Sequence, residues 1–449
     1  MSFNFNEKLF KEFPPVETGE WTDRINADLK DEDFKKKLIW RTDEGFDLKP
    51  FYRREDINDL AFIHTIPGKK PFVRGSLKEN NHWRIRQNIS VEDYRNANAK
   101  AQEILTRGVD SLGFIHKDPR AINRANLERL TSGIPLEDIE INFISEGKAK
   151  EIHKTLQEIL AVKGKDPAKV KGAIECDPFS RLISNRRLYI THESELDYLA
   201  ELIIDSSIFP YFRIINVNTE NFSGAGSDII TELAFGLSLG NEYLSALNDR
   251  SVTAGLAASK IKFSFRTGPN YFFEIAKLRS ARLLWSIIAE RYHPGNMTGA
   301  DMEIHCVTGR WNKTRSDPYT NMLRTQTEAM SAILGGTNSL TVEPFDIAFR
   351  APDEFSERIA RNQQLLLRDE SCFNRVIDPA GGSYYIEKLT SLITIYSWKL
   401  FIEVEERGGF FKALNQGFIH ERLKRPDWKR FNQTKNRSKT GCYETSVQL

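Results

Sequence analysis

The sequence is poor in cysteine, poor in methionine, free of long apolar runs and almost without net charge. Its four cysteines, Cys176, Cys306, Cys372 and Cys442, lie far apart with no Cys-x-x-Cys pair. That excludes a disulfide framework and a cysteine zinc cluster as expectations, and reduced thiols in a cytoplasm fit best. No stretch approaches the roughly 20 apolar residues of a membrane span. The opening MSFNFNEKLFKEFPP has no apolar core of the signal-peptide kind. Lys plus Arg number 64 and Asp plus Glu 62, a net charge of +2 that argues against a nucleic-acid binder. Neither His-Glu-x-x-His nor Gly-x-Ser-x-Gly occurs, so a zinc-protease helix and a nucleophile elbow are both excluded.

What is present suits a soluble globular protein: 40% hydrophobic and 28% charged residues, with 29 phenylalanines against five methionines. The 449 residues allow one large domain with extensions, or two domains. Residues 1–89 read as an N-terminal arm. Lys8–Phe13 and Trp21–Phe34 form short charged helices, and Lys36–Lys49 forms strand, turn, strand about Asp43-Glu44-Gly45. Residues 61–90 have proline and glycine breaks and few periodic apolar positions, so they must lie on another surface.

From about residue 90 the texture becomes regular. Ser90 with Asp93 resembles a capping arrangement for a helix over Val91–Leu105. Apolar strands are expected at Val109–His116, Ile139–Ile144, Val170–Cys176, Arg213–Asn218, Ile261–Phe265, Met302–Thr308, Ser339–Phe345 and Arg375–Ile377. Helical segments separate them, and a long helix at Tyr384–Glu406 follows. Eight strands alternating with helices predict a parallel sheet closed into a (β/α)8 barrel over 90–425. The polar, basic tail 426–449 packs poorly on this reading.

The chemical signals are weak taken singly. Asp317-Pro318 reads as a helix start with Asp317 as N-cap, and Gly335-Gly336 as the same helix's stop. Gly381-Gly382 after Asp378-Pro379-Ala380 reads as a tight turn, with a phosphate cradle as the sharper alternative. His305, inside a strand, and His192, near a helix start, lack a second histidine at metal-ligand spacing and read as core or cap residues.

More specific is the stretch GRWNKTRSDPYTNMLRTQTEAMSAILGGTNSLTVEPFDI at 309–347. With SERIARNQ at 356–363, DPAGGSY at 378–384, NYFFEIAKLRSARLLW at 270–285, Glu232-Leu233-Ala234 and Trp83-Arg84-Ile85-Arg86-Gln87, it resembles the barrel of the methylmalonyl-CoA mutases. The resemblance covers roughly residues 20–410, in order and with few gaps. It implies a (β/α)8 barrel that threads a CoA ester along its axis. It also implies adenosylcobalamin radical chemistry, with cobalamin carried by a flavodoxin-like domain bearing Asp-x-His-x-x-Gly. Bacterial members pair a large catalytic subunit with a homologous small one that binds no cobalamin.

By the same resemblance, this sequence departs from a working mutase where the chemistry should be. The family's Tyr-His pair falls at Glu220 and Asn221, and an amide cannot titrate as the histidine does. A substrate-contacting glutamine falls at Glu175. An arginine that pairs with the substrate carboxylate falls at Asn185, with Arg186 adjacent. The family's Tyr-rich segment before Trp83 is shortened to Ser76–His82 and has no tyrosine. No Asp-x-His-x-x-Gly occurs, so no cobalamin domain is expected. The chain is therefore expected to be the non-catalytic small subunit of a heterodimeric mutase. It would bind no cofactor or metal itself, adenosylcobalamin sitting on the large partner, and contact neither nucleic acid nor membrane. Trp21, Trp40 and Phe51 are its candidate interface anchors. A catalytic barrel served by a separate cobalamin protein, and a CoA-ester-binding regulatory or assembly module, are the competing expectations.

Overall fold

The computed structural model describes residues 16–30, 32–144, 147–185, 191–224, 226–292 and 299–423. They fall into two compact units, Met1–Arg53 and Arg54–Leu449. The first contains helices α1 (Thr18–Asp28) and α2 (Phe34–Lys37) and the hairpin β1 (Trp40–Arg41) and β2 (Asp47–Leu48). The strands pair antiparallel, Trp40 opposite Leu48. Gly45, at φ +91°, supplies the left-handed residue of the turn. The hairpin is shorter than its sequence pattern, because Asp33 accepts the Lys35 amide and starts a helical turn where a strand was expected. Trp21 and Phe51 have ring centroids 5.4 Å apart, and the Arg53 guanidinium lies over the Trp21 ring. Trp21 and Trp40 are both exposed. The helix expected at Lys8–Phe13 lies outside the described residues.

The second unit is a closed barrel of eight parallel strands. These are β3 (Arg84–Val91), β4 (Ser111–His116), β5 (Glu140–Ile144), β6 (Lys171–Cys176), β7 (Phe212–Asn218), β8 (Ile261–Thr267), β9 (Glu303–Thr308) and β10 (Ser339–Thr341). Between and after them run α3 (Tyr94–Leu105), α4 (Arg124–Leu130), α5 (Ala149–Val162), α6 (Pro178–Asn185), α7 (His192–Asp205), α8 (Glu220–Gly224), α9 (Ile229–Asn248), α10 (Ala254–Ser259), α11 (Tyr271–Tyr292), α12 (Thr320–Leu334), α13 (Glu354–Leu365), α14 (Tyr384–Glu406) and α15 (Phe410–Asn415). Closure is made by β10 pairing β3, Ser339 opposite Arg84.

The barrel expectation holds, but its strands are counted differently. The first strand is Arg84–Val91, which the sequence pattern assigns mainly to the arm, and 375–377 forms no strand. The strand was hidden by its polar residues. Arg84, Arg86, Asn88 and Ser90 alternate with apolar or amide side chains, and a strand polar on one face lacks the apolar run of the others. The first helix accordingly starts at Tyr94, capped by Asp93, whose carboxylate accepts the Arg95 and Asn96 amides.

The apolar face of each strand turns to the helices. Phe263 meets Trp285 of α11 edge-on at 4.8 Å between centroids. This packing needs a glycine on α9, because a Cβ at Gly240 would stand 2.8 Å from Phe263 and 2.9 Å from Trp285. Helix α12 ends at Gly335-Gly336 as expected, Gly336 taking φ +81°. At its start Asp317 binds the Thr320 hydroxyl and caps no backbone amide, which corrects the N-cap expectation.

The Asp378–Gly382 segment is a turn, held by ions. Asp378 accepts from Arg74 at 2.9 Å and from Arg279, and Glu387 accepts from Arg279 at 2.6 Å. The Gly382 amide donates to Glu387 at 2.8 Å. A Cβ on Gly381 would fall 2.0 Å from the Arg74 guanidinium. Protein carboxylates thus take the groups that a phosphate cradle would need.

A second acidic pair lies where α9 meets α14. Glu405 accepts from Asn241 at 2.9 Å on one oxygen, while its other oxygen is buried without a partner. Burial, and then the neighbouring Glu242, push its carboxyl up to about 7. An acid with a raised folded pKa weakens the fold as pH climbs from its unfolded value, near 4.3, through the folded one. Glu405→Gln should therefore raise the thermal midpoint by a few degrees at pH 8 and leave it unchanged at pH 4, as read by differential scanning fluorimetry.

Candidate functional site

The barrel axis, along which the resemblance implies a CoA ester, is crossed here by charged side chains. Such axes are more often filled by layers of branched apolar residues. Glu175 on β6 accepts from Arg86 on β3 at 2.7 Å and from Lys262 on β8 at 2.8 Å. Its other oxygen accepts from Asn216 on β7 at 3.2 Å. β3, β6 and β8 are not neighbours in the sheet, so these bonds run through the interior. Lys262 also donates to Asn142 at 3.3 Å. Around this centre Ser111 and Asn142 bond Glu140 at 2.7 and 3.0 Å, and Ser264 bonds Asn216 at 2.7 Å. His305 meets the Ser339 hydroxyl at 2.7 Å. An open channel would leave these groups wet, yet Asn142 is 1% and Arg86 2% exposed.

Electrostatics fix the protonation states. Burial alone would raise the Glu175 pKa, but Arg86 and then Lys262 outweigh it and hold the carboxyl well below the usual range. Burial, reinforced by Arg86 and Lys262, pushes His305 far down, so it is neutral. The core-histidine reading of His305 is correct. His192, at the start of α7, packs against Phe179 and Phe411, with centroids at 5.1 and 4.0 Å.

A second ionic layer spans the C-terminal mouth. Glu220, opening α8, pairs with Arg266 on β8. Arg266 also lies 3.8 Å from Glu343, which Arg310 binds at 2.5 Å. Arg266 donates to the Thr308 carbonyl at 2.9 Å. Glu220 is thus paired across the mouth, although its side chain is 41% exposed. Asn221 is the next residue of α8 and is half-buried. Asn185 ends α6, and Arg186 lies outside the described residues.

Of the four departures, the structure brings Glu175 and Glu220 into ionic layers at two depths of the barrel. Arg86, Lys262 and Arg266, which complete those layers, were not singled out from sequence. Their signal was there: Arg84, Arg86 and Asn88, and Lys262, Ser264 and Arg266, place polar groups at every second position of a strand. Two cavities flank the layers. One of about 910 Å3 opens beside the C-terminal mouth and is bordered by Arg86. The other, about 430 Å3, lies at the N-terminal strand ends among Arg84, Lys171, Arg213, Lys262, Glu140 and Glu303. Among the described residues no group of three or more His, Cys, Asp or Glu side chains is set to hold a metal, and no helix is long and apolar enough to cross a membrane.

These features define a (β/α)8 barrel whose axis is crossed by paired charges. The methylmalonyl-CoA mutase family model matches residues 41–122 and 121–442, and the chain belongs to that family. It is 44% identical, over 96% of its length, to a methylmalonyl-CoA mutase small subunit of Porphyromonas gingivalis, covering 69% of that protein. It is 34% identical, over 85% of its length, to a methylmalonyl-CoA mutase of Rhizobium meliloti, and 30%, over 90%, to the mitochondrial methylmalonyl-CoA mutase of Homo sapiens. It spans 57% of each of those two relatives.

Proposed function

We propose that this chain is the non-catalytic small subunit of a heterodimeric, adenosylcobalamin-dependent methylmalonyl-CoA mutase, working in the cytoplasm. Its role is to support a large subunit that carries out the isomerisation of methylmalonyl-CoA and succinyl-CoA. The observation that carries this reading is the Arg86–Glu175–Lys262 bridge, which occupies the axis along which the family's catalytic barrels thread the CoA ester. The relative with the highest identity above bears the small-subunit name, which supports the same role.

Catalysis by this chain would need an acid at the thioester. Asn221 has no proton to give at neutral pH, Glu175 is held ionised, and the neutral His305 is committed to Ser339 and lies within 3.4 Å of Thr341. The cobalamin would be the partner's, and would supply the radical there. On this chain the residues near the mouth do other work: Glu220, Arg266, Glu343 and Arg310 tie four strand ends together. The exposed Trp21 and Trp40 are the residues proposed to seat on the large subunit, with Phe51 supporting Trp21.

The test is tagged purification of the full chain from its native cells. A stoichiometric homologue bearing Tyr-His and Asp-x-His-x-x-Gly supports the proposal. A small free-standing cobalamin protein in its place refutes it. The variant Glu220→Tyr with Asn221→His should give no turnover of methylmalonyl-CoA with added cobalamin-domain protein. Measurable succinyl-CoA would show that this barrel is a dormant catalyst.

A further inference from the structure

The larger cavity is not confined to the axis. It extends outward between α3 and α13, past the short strand β10, and its walls combine two kinds of surface. Ile89, Ile115, Val342 and Ile347 give it an apolar side. Arg361 of α13, only 6% exposed, lines the same cavity. One of its terminal nitrogens donates to the Gln87 side chain at 2.9 Å. Its Nε is buried with no hydrogen-bond partner, and among the described residues Arg361 makes no ion pair. The acids whose charge reaches it are engaged elsewhere: Glu103 pairs with Arg107 at 2.7 Å, and Glu357 is taken by Lys100 at 2.7 Å and Gln87 at 3.1 Å.

A buried guanidinium without a carboxylate is costly, and proteins seldom keep one unless something satisfies it. Among the other buried arginines of this barrel, Arg86 has Glu175, Arg266 has Glu220, and Arg279 has Asp378 and Glu387; Arg282 has no acid and a buried Nε without a partner, but its terminal nitrogens bond the Leu278, Gly335 and Gly336 carbonyls. Arg361 is different, and it borders a space of about 910 Å3, within the usual range of small-molecule pockets. A guanidinium fork matches a carboxylate in two parallel hydrogen bonds. The apolar residues lining the same cavity suit a hydrocarbon body.

The geometry points to a binding site for a small organic carboxylate in the cleft between α3 and α13, its carboxylate on Arg361 and its chain along Ile89, Val342 and Ile347. The site lies beside the barrel axis and does not depend on the small-subunit reading. A ligand there would bridge the two helices that flank the seam between β3 and β10.

The probes are straight-chain carboxylates from acetate to hexanoate, titrated into the full chain by calorimetry at constant ionic strength, with inorganic phosphate and n-butylammonium alongside. Affinity should rise about threefold to fourfold per methylene, as burial of hydrocarbon predicts. Arg361→Leu should weaken hexanoate at least about tenfold, the loss expected for a charge-assisted pair. Ala351 is exposed at the rim, so Ala351→Trp should keep the thermal midpoint and still block hexanoate. No saturable binding of hexanoate overturns the proposal. So does binding that survives both variants, or butylammonium or phosphate binding as tightly as hexanoate.

Discussion

Glu175→Gln, which puts back the residue the family resemblance assigns to this position, should destabilise the chain by about 3–5 kcal/mol, the usual cost of breaking a buried ion pair by removing one partner. The change is nearly isosteric, so packing is not the cause. It leaves Arg86 and Lys262, both almost fully buried, with the hydrogen bonds to Asn88 and Asn142 but without their shared anion. Replacing all three charges at once, as Arg86→Leu with Glu175→Leu and Lys262→Met, should recover most of the loss, because the ions of the bridge leave together and Arg84 still faces the Glu140 carboxylate that Lys262 also stabilised. Thermal midpoints of the wild type, the single and the triple variant decide the matter. A Glu175→Gln midpoint equal to wild type would mean that the axis is hydrated and its charges are screened. The pH dependence has a definite sign. Glu175 has a depressed folded pKa, so its contribution is complete above the unfolded value near 4.3 and fades as pH falls through the folded one. The gap between wild type and Glu175→Gln should therefore be widest at neutral pH and shrink in acid.

The second large effect is expected at Asp378→Asn. Asp378 is the shared partner of Arg74 and Arg279, and Arg279 is 1% exposed in its side chain. Glu387 continues to hold both arginines, at 3.2 and 2.6 Å, so the charges are not abandoned entirely. A loss of about 2–4 kcal/mol follows from halving the anionic charge around the buried Arg279 and the partly buried Arg74. Glu387→Gln should cost a similar amount. The double variant should cost more than the sum, because only then do both guanidiniums lose every anion. Chemical denaturation of the four proteins, followed by circular dichroism, measures the coupling. Strict additivity would show that the two acids act separately.

Much of the barrel was legible because most of its strands carry an apolar run bounded by turns, as in Phe212–Asn218 and Ile261–Thr267. Arg84–Val91 was missed because its polar face points into the barrel, a place where the pattern leads one to expect apolar side chains. Residues 375–377 were misread for the opposite reason: Val376 and Ile377 look strand-like, yet Asp378 beyond them is claimed by two arginines and the segment bends. The site was half legible. Glu175 and Glu220 stood out as departures from the family, but their partners lie far away in sequence, on strands whose inward parity no local pattern fixes. A carboxylate looks like a defect until the cations that face it are known. Arg361 carried no signal at all, since an arginine within SERIARNQ reads as an ordinary helix-surface residue.

The order of the barrel strands also says something about how the ring can be made. Every neighbouring pair but one joins consecutive strands, and the remaining pair, β10 with β3, joins Ser339–Thr341 to Arg84–Arg86 through three residues of register. As the chain leaves the ribosome, β3 emerges first and has no partner on one side until nearly the whole barrel has followed it. During that interval its free edge is an invitation to a stray strand. Arg84 and Arg86 stand on that edge in positive charge, and like charge discourages the same segment of another nascent chain from pairing there. The cations that later fill the axis can thus serve first as guardians of an unfinished sheet.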